Sequence, residues 1–323
     1  MSQDLRDPVA PPGGASLPAP PPAPTAGALP LVPGAPTPRQ RNGAAFPTPG
    51  AVRDEAAAVV AMRSERMFRV FGSYIRLTLP RQFRAVRLSG TMPAAIPRDR
   101  PVVVFSNHPS WWDPLLFMLL ADRCFRGRPG FGPMDAAALE RYGVFKRLGI
   151  FGIDLNSAAG ARRFLRVSRA VLAHQGGAGG RAMLWVTAEG AFTDPRQRPL
   201  RLRPGIGHLA ALSSEILMLP MAIEYVFWNE SRPEILVRFG EPIPGGTAGE
   251  GRAPRPSDWT ARLEGALEAT MDRLAQDARA RDPARFTRLL GGRSGVGGIY
   301  DLYRAAGARL RGERFRRSHE AED

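Results

Sequence analysis

Apolar positions along this chain follow two different periods. From Asp54 onward, Val60, Met67, Phe68, Phe71, Tyr74, Ile75 and Leu79 recur largely at three- and four-residue steps, which predicts one face of a helix. Arg63, Arg66, Arg69 and Arg76 fall largely off that face, and Pro80 closes the element. The period then shortens. Val86–Leu88 alternates, and PVVVFS at 101–106 is a short β-branched run of the kind that fills a buried strand. Asp113-Pro114 opens an apolar helix to about Ala121, with Asp as N-cap and Pro in the first turn. A helix over Ala136–Leu148, a strand over Phe151–Leu155 and an amphipathic helix over Ala161–His174 follow, the last ended by the glycines of 176–180. Buried strands are predicted at Ala182–Thr187, Ile216–Ile223 and Glu234–Phe239. Beyond a Gly/Pro linker, Trp259, Leu263, Leu267, Met271 and Leu274 align on a helix from about Ser257, and a last helix runs from Ile299 to about Phe315. Strands alternating with helices predict an α/β fold, a mostly parallel sheet flanked by helices.

The pattern also divides the chain. Residues 1–50 hold 14 of the 32 prolines, mixed with Ala and Gly, and predict a disordered tail that cannot pack a core. A basic amphipathic helix at 51–82, an α/β domain at 83–250 and a helical, Arg-rich C-terminal extension at 251–323 complete the organisation.

Charge sharpens this picture. The net charge is +15, and residues 51–90 and 285–317 together carry +12 of it. Lys146 is the only lysine, so nearly all of the positive charge is arginine. Such concentration points to an anionic partner: a membrane surface, nucleic acid or an acidic protein. Few aromatics interleave with the arginines and no nucleic-acid module is recognisable, so nucleic acid is not expected. The longest apolar runs, Pro114–Ala121 and Ile216–Ile223, are of core length and too short to span a bilayer. The start, MSQDLRDPVAPP, lacks the basic and apolar stretches of a signal peptide. Cys124 stands alone and His108, His174, His208 and His319 are scattered, which argues against an intrachain disulfide and a cysteine- or histidine-built metal site.

Candidate chemistry is concentrated in SNHPSWWDP at 106–114, between a predicted strand and a predicted helix. In α/β folds, sites gather at the carboxyl ends of strands. A turn of chain lets Asp113 reach back to His108, five residues before it. The carboxylate then orients the ring and stabilises the imidazolium, leaving the other nitrogen to take a proton from a hydroxyl. The same residues also suit a helix cap and a satisfied loop histidine. Trp111 and Trp112 read as packing or lipid-facing groups, His208 as structural, His174 as a cation at a helix end, and Met218 and Met221 as core.

NHPSWWDP resembles the N-H-x-S-x-x-D block of the glycerolipid (lysophospholipid) acyltransferase superfamily. Three further blocks appear in that family's order. FGIDL at 151–155 is similar to the block ending Ile-Asp-Arg, TAEGAFT at 187–193 to Phe-Pro-Glu-Gly-Thr-Arg-Ser, and LPMAI at 219–223 to Val-Pro-Val-Ala. The flanking pieces Arg87–Gly90, RPGIGHLA at 203–210 and FGEPI at 239–243 agree, and the resemblance covers about residues 83–243. It implies an acyltransferase-like fold with His108 as general base, Asp113 as its partner, and Asn107, Ser110, Asp154, Glu189, Gly190, Phe192 and Arg203 in or near the substrate site. It further implies transfer of a fatty acyl group from acyl-CoA or acyl-carrier-protein to a lysolipid hydroxyl. No metal or other cofactor is expected, and the enzyme is expected to sit peripherally on the cytoplasmic membrane face. Two positions depart from the family: Leu155 and Phe192 stand where arginines are expected to hold an acceptor phosphate. Arg162, Arg163, Arg196, Arg198, Arg201 and Arg203 lie nearby as substitutes. The departures leave two alternatives: an acyltransferase for a non-phosphorylated lipid, or an inactive lipid-binding protein on the same fold.

Overall fold

The computed structural model describes residues 49–93, 96–175, 180–246 and 254–292. The tail expected to be disordered, apart from its last two residues, and the helix expected over Ile299 to Phe315 lie outside them. The predicted buried strands form where apolar runs are continuous: β1 (Ala85–Ser89), β2 (Val102–Ser106), β4 (Ile150–Ile153), β5 (Met183–Thr187), β6 (Leu217–Val226) and β7 (Glu234–Phe239). Three further strands were not anticipated: β3 (Gly130–Asp135), β8 (Ile243–Pro244) and β9 (Phe286–Gly291). Among the described residues these make one sheet of order β4-β3-β5-β2-β6-β7-β1-β9, with β8 beside β6. Five pairings are parallel, β1–β7, β2–β5, β2–β6, β3–β4 and β3–β5, as expected for the fold class. The strands β7, β8 and β9 add the antiparallel ones.

The concealed strands have physical reasons. Gly132 in β3 lies so close to β5 that a Cβ there would come within 3.0 Å of the Trp185 carbonyl, so the strand needs glycine rather than a β-branched residue. β9 is an edge strand whose Thr287 and Arg288 are exposed, so it shows little apolar signal. Its pairing with β1 adds a strand to the helical extension, since residues 286–291 complete the sheet. Pro220 occupies the centre of β6, where a missing N–H would normally break a ladder. It falls between the segment paired with β8, at Leu217 and Met218, and the segment paired with β7, beginning at Met221.

Helices cover both faces. One face holds α2 (Glu65–Gln82) and α3 (Asp113–Cys124), which bury Ile75, Leu79, Leu116 and Leu120 over Val104, Leu219 and Ile223. The other holds α1 (Pro49–Met62), α5 (Ala158–Ala173), α6 (Gly205–Ala210) and α7 (Pro256–Ala280), packed on Val103, Leu184 and Met218. The short α4 (Ala136–Arg141) links β3 to β4. The single amphipathic helix expected over 51–82 is thus two helices, broken at Arg63 and Ser64, and Ser64 caps the second by accepting from the Met67 N–H. Pro80 lies within the last turn of α2 instead of ending it.

Several arginines counted toward the surface charge turn inward. Arg84 and Arg87 are buried, and Arg63 lies over the Phe68 and Phe131 rings while donating to the Gly130 carbonyl. Arg87 donates to the Glu234 carboxylate, with the two side chains 3% and 1% exposed. Breaking one half of such a pair strands a charge, whereas replacing both halves with apolar groups does not. Arg87→Leu is expected to cost about 3–5 kcal/mol in denaturant unfolding, and the double variant with Glu234→Leu to recover most of it. Equal losses in the single and double variants would show that the pair is not coupled.

Candidate active site

The candidate site is assembled where β2, β5 and β6 end together. Ser106 closes β2, and the next residue fixes the loop. Asn107 is 1% exposed, and its amide bonds the β6 backbone in both directions, accepting from the Ile223 N–H and donating to the Ile223 carbonyl, each at 2.9 Å. Both polar ends are bonded internally, so Asn107 clamps the end of β2 to β6.

The chain then turns through His108–Trp112 into α3. His108 Nδ1 lies 2.6 Å from Asp113 Oδ2, with the two side chains 16% and 0% exposed. Asp113 is not the N-cap that the sequence suggested. The N-cap position falls on Trp112, with no side-chain cap bond, and Asp113 already belongs to the first turn. Its carboxylate instead accepts from the Ser110 N–H at 3.2 Å and from the Tyr225 hydroxyl at 2.7 Å, in addition to the His108 ring. Ser110 Oγ accepts from the Trp112 N–H at 3.2 Å, which tightens the same turn.

The β5 loop closes over the other side. Glu189 accepts from the His108 backbone N–H at 3.1 Å, and the Thr193 N–H donates to the His108 carbonyl at 3.1 Å. The Phe192 ring lies 4.3 Å, centroid to centroid, from the His108 imidazole and is 60% exposed. Gly190 has φ +71°, and a Cβ there would come within 2.8 Å of Arg203 Nε, so glycine lets Arg203 lie against the turn. Arg203 also donates to the Leu155 carbonyl at 3.1 Å. The structure therefore brings together Glu189, Gly190 and Phe192 beside His108, with Arg203 bridging Gly190 to Leu155. Asp154 is exposed; its carboxylate accepts from the Asn156 N–H, and hydrogen bonding from Ser157 and Asn156 holds it below the usual carboxylate range. Its visible role is the turn into α5.

A cleft of 660 Å³ opens beside the His108–Asp113 pair. Phe83, Trp112, Tyr225 and Phe227 supply its apolar lining, and Ser110, Arg196 and Glu224 its polar groups. That volume suits a small molecule or part of a larger one. Burial, against the attraction of Arg196 and Arg279, pushes the Glu224 carboxyl above its ordinary value. Tyr225 was missed because the predicted strand stopped at Ile223, yet the alternation Met221, Ile223, Tyr225 continues on one face of β6.

Residues 87–224 match the Acyltransferase family model. This segment is similar to the acyltransferase domain. The match agrees with the family resemblance of the four sequence blocks. Among solved structures, the chain is similar to the 1-acyl-sn-glycerophosphate (LPA) acyltransferase PlsC from Thermotoga maritima, at 14% identity and a TM-score of 0.43, over 70% of this chain and 88% of that one. A search of curated proteins gives no match.

Proposed function

We infer that this acyltransferase moves a fatty acyl group from a thioester donor, acyl-CoA or acyl-carrier-protein, to the hydroxyl of a lysolipid, with His108 as general base. The observation that carries this reading is the 2.6 Å contact between His108 Nδ1 and a fully buried Asp113, with the ring left partly exposed. Asp113 holds the tautomer that protonates Nδ1, so Nε2 is the basic nitrogen. Nε2 takes the acceptor's hydroxyl proton as the oxygen attacks the thioester carbonyl. The tetrahedral intermediate collapses with loss of the thiolate, which recovers the proton from the imidazolium, and Asp113 stabilises that cation throughout. His108→Ala is expected to lower turnover by about a thousandfold or more while the protein stays folded. Asp113→Asn is also expected to be severely impaired, because one amide cannot accept from both the imidazole and the tyrosine hydroxyl. Near-normal turnover by folded His108→Ala would end this mechanism.

Where the family pattern has two arginines, Arg203 reaches the Leu155 carbonyl. Leu155 and Phe192 offer no charge to a phosphate, and Arg203 lies between Leu155 and Gly190. We read Arg203 as the group facing an anionic head group, with a weaker demand for a simple phosphate than two guanidinium forks would impose. In competition at fixed donor, lysolipids with larger or uncharged head groups are expected to compete with lysophosphatidic acid. Arg203→Ala is expected to raise KM for lysophosphatidic acid about tenfold and leave uncharged acceptors unaffected. Equal effects on both acceptor classes would remove Arg203 from this role.

The reading places the enzyme peripherally on the cytoplasmic membrane face. No helix among the described residues is long and apolar enough to cross a membrane. On α2, Val70, Tyr74 and Leu77 are 62%, 52% and 62% exposed, with Arg66, Arg69 and Arg81 exposed on the same helix. Tyr74, expected on the packed face, therefore belongs to an outer stripe. An apolar stripe bordered by arginines fits an anionic bilayer surface. High salt is expected to release much of the protein from vesicles containing anionic lipid, and Leu77→Glu to weaken binding at every salt concentration. Sedimentation with vesicles that responds to neither change would exclude this face.

A further inference from the structure

We propose that Tyr225 is a positioning residue for the acyl-transfer step, fixing Asp113 through its second carboxylate oxygen so that Asp113 can fix His108. The proposal rests on the general-base reading of His108 above. Its basis is geometric. Asp113 has no exposed surface, and its two oxygens face different partners: Oδ2 faces His108 Nδ1 and the Ser110 N–H, and Oδ1 faces the Tyr225 hydroxyl at 2.7 Å. With Oδ1 unanswered, the carboxylate is free to rotate about its Cβ–Cγ bond, and the short contact to the imidazole loses its direction. The tyrosine supplies the fixed point because it is itself held. It projects from β6, where its backbone pairs with Ile235 of β7, and its ring packs 5.7 Å, centroid to centroid, from Phe83.

The phenol is suited to donate. Burial and the adjacent Asp113 charge push its ionisation far above the ordinary tyrosine value, so it keeps its proton throughout the working range. The Tyr225–Asp113 contact joins the start of α3 to β6 through side chains, as the Asn107 amide joins the loop's root to the β6 backbone. Tyr225 lines the cleft with Trp112, so a ligand bound there would lie against the ring that steadies the base.

The test is a double-mutant cycle of Tyr225→Phe and Asp113→Asn, assayed with palmitoyl-CoA and lysophosphatidic acid by thiol release. A second readout follows the low-field Nδ1–H proton of His108 by NMR, assigned by its loss in His108→Ala. Tyr225→Phe keeps the ring and its packing. It is expected to lower kcat about tenfold with little change in KM and to move the Nδ1–H resonance. In the Asp113→Asn background the same change is expected to have no further effect on kcat, because its route to His108 is already broken. Multiplicative losses would mean that Tyr225 does not act through Asp113, and an unmoved resonance with unchanged kcat would likewise overturn the proposal. The NMR readout tests it even where these substrates turn over slowly. Loss of activity in His108→Ala alongside a silent Tyr225→Phe would reject Tyr225 and leave the general-base reading standing. Retained activity in His108→Ala would reject that reading itself.

Discussion

A carboxylate with no exposed surface must find its hydrogen-bond donors within the protein, and at Asp113 they come from three directions. The imidazole of His108 and the Ser110 N–H come from its own loop, and the Tyr225 hydroxyl comes from a neighbouring strand. Each would cost stability if removed alone, since the charge would remain behind in a poorly solvated place. The surrounding features serve this arrangement. Asn107 holds the loop's root to β6, Glu189 and the Thr193 N–H hold the His108 backbone, and Trp112 packs edge-on against Phe83 to seal one side. The imidazole is left as the partly exposed member of a largely buried cluster.

The two sides of that imidazole differ in character. One side meets a deep carboxylate, whose partner Tyr225 lines a cleft walled by aromatic rings. The other meets an exposed phenylalanine and, beyond it, a guanidinium lying over a glycine turn. An acyl chain favours the first kind of surroundings and a polar head group the second. The division suits a reaction whose two substrates are both amphipathic.

Much of this was legible before any coordinates. Strands buried on both faces show themselves as unbroken apolar runs, so β2, β5 and β7 were located closely. The spacing of His108 and Asp113 survives in the fold because one loop contains both. Legibility failed where a residue's purpose depends on a distant segment. Tyr225 lies 112 positions from Asp113, and nothing local announces their contact. Asn107 was marked by its motif, but the motif could not reveal that its partner is a backbone peptide of β6. Gly130–Asp135 reads as a loop because close approach to Trp185 replaces the usual strand composition with glycine. The arginines misled in the opposite sense: composition counts charges, and Arg63, Arg84 and Arg87 are taken into the interior.

The clamp formed by Asn107 has a consequence for how the protein comes into being. It joins positions 116 residues apart, and β2 can pair with β6 only after α3 to α6 have been threaded between them. Closing so long a segment is entropically slow, and contacts of this range form late in the growth of a sheet. His108 and Asp113 are neighbours in the nascent chain, but their shared geometry is not available until the strand bearing Ile223 and Tyr225 arrives. The His108–Asp113 pair is therefore assembled by completion of the topology, and a chain stalled before β6 holds the motif without its geometry.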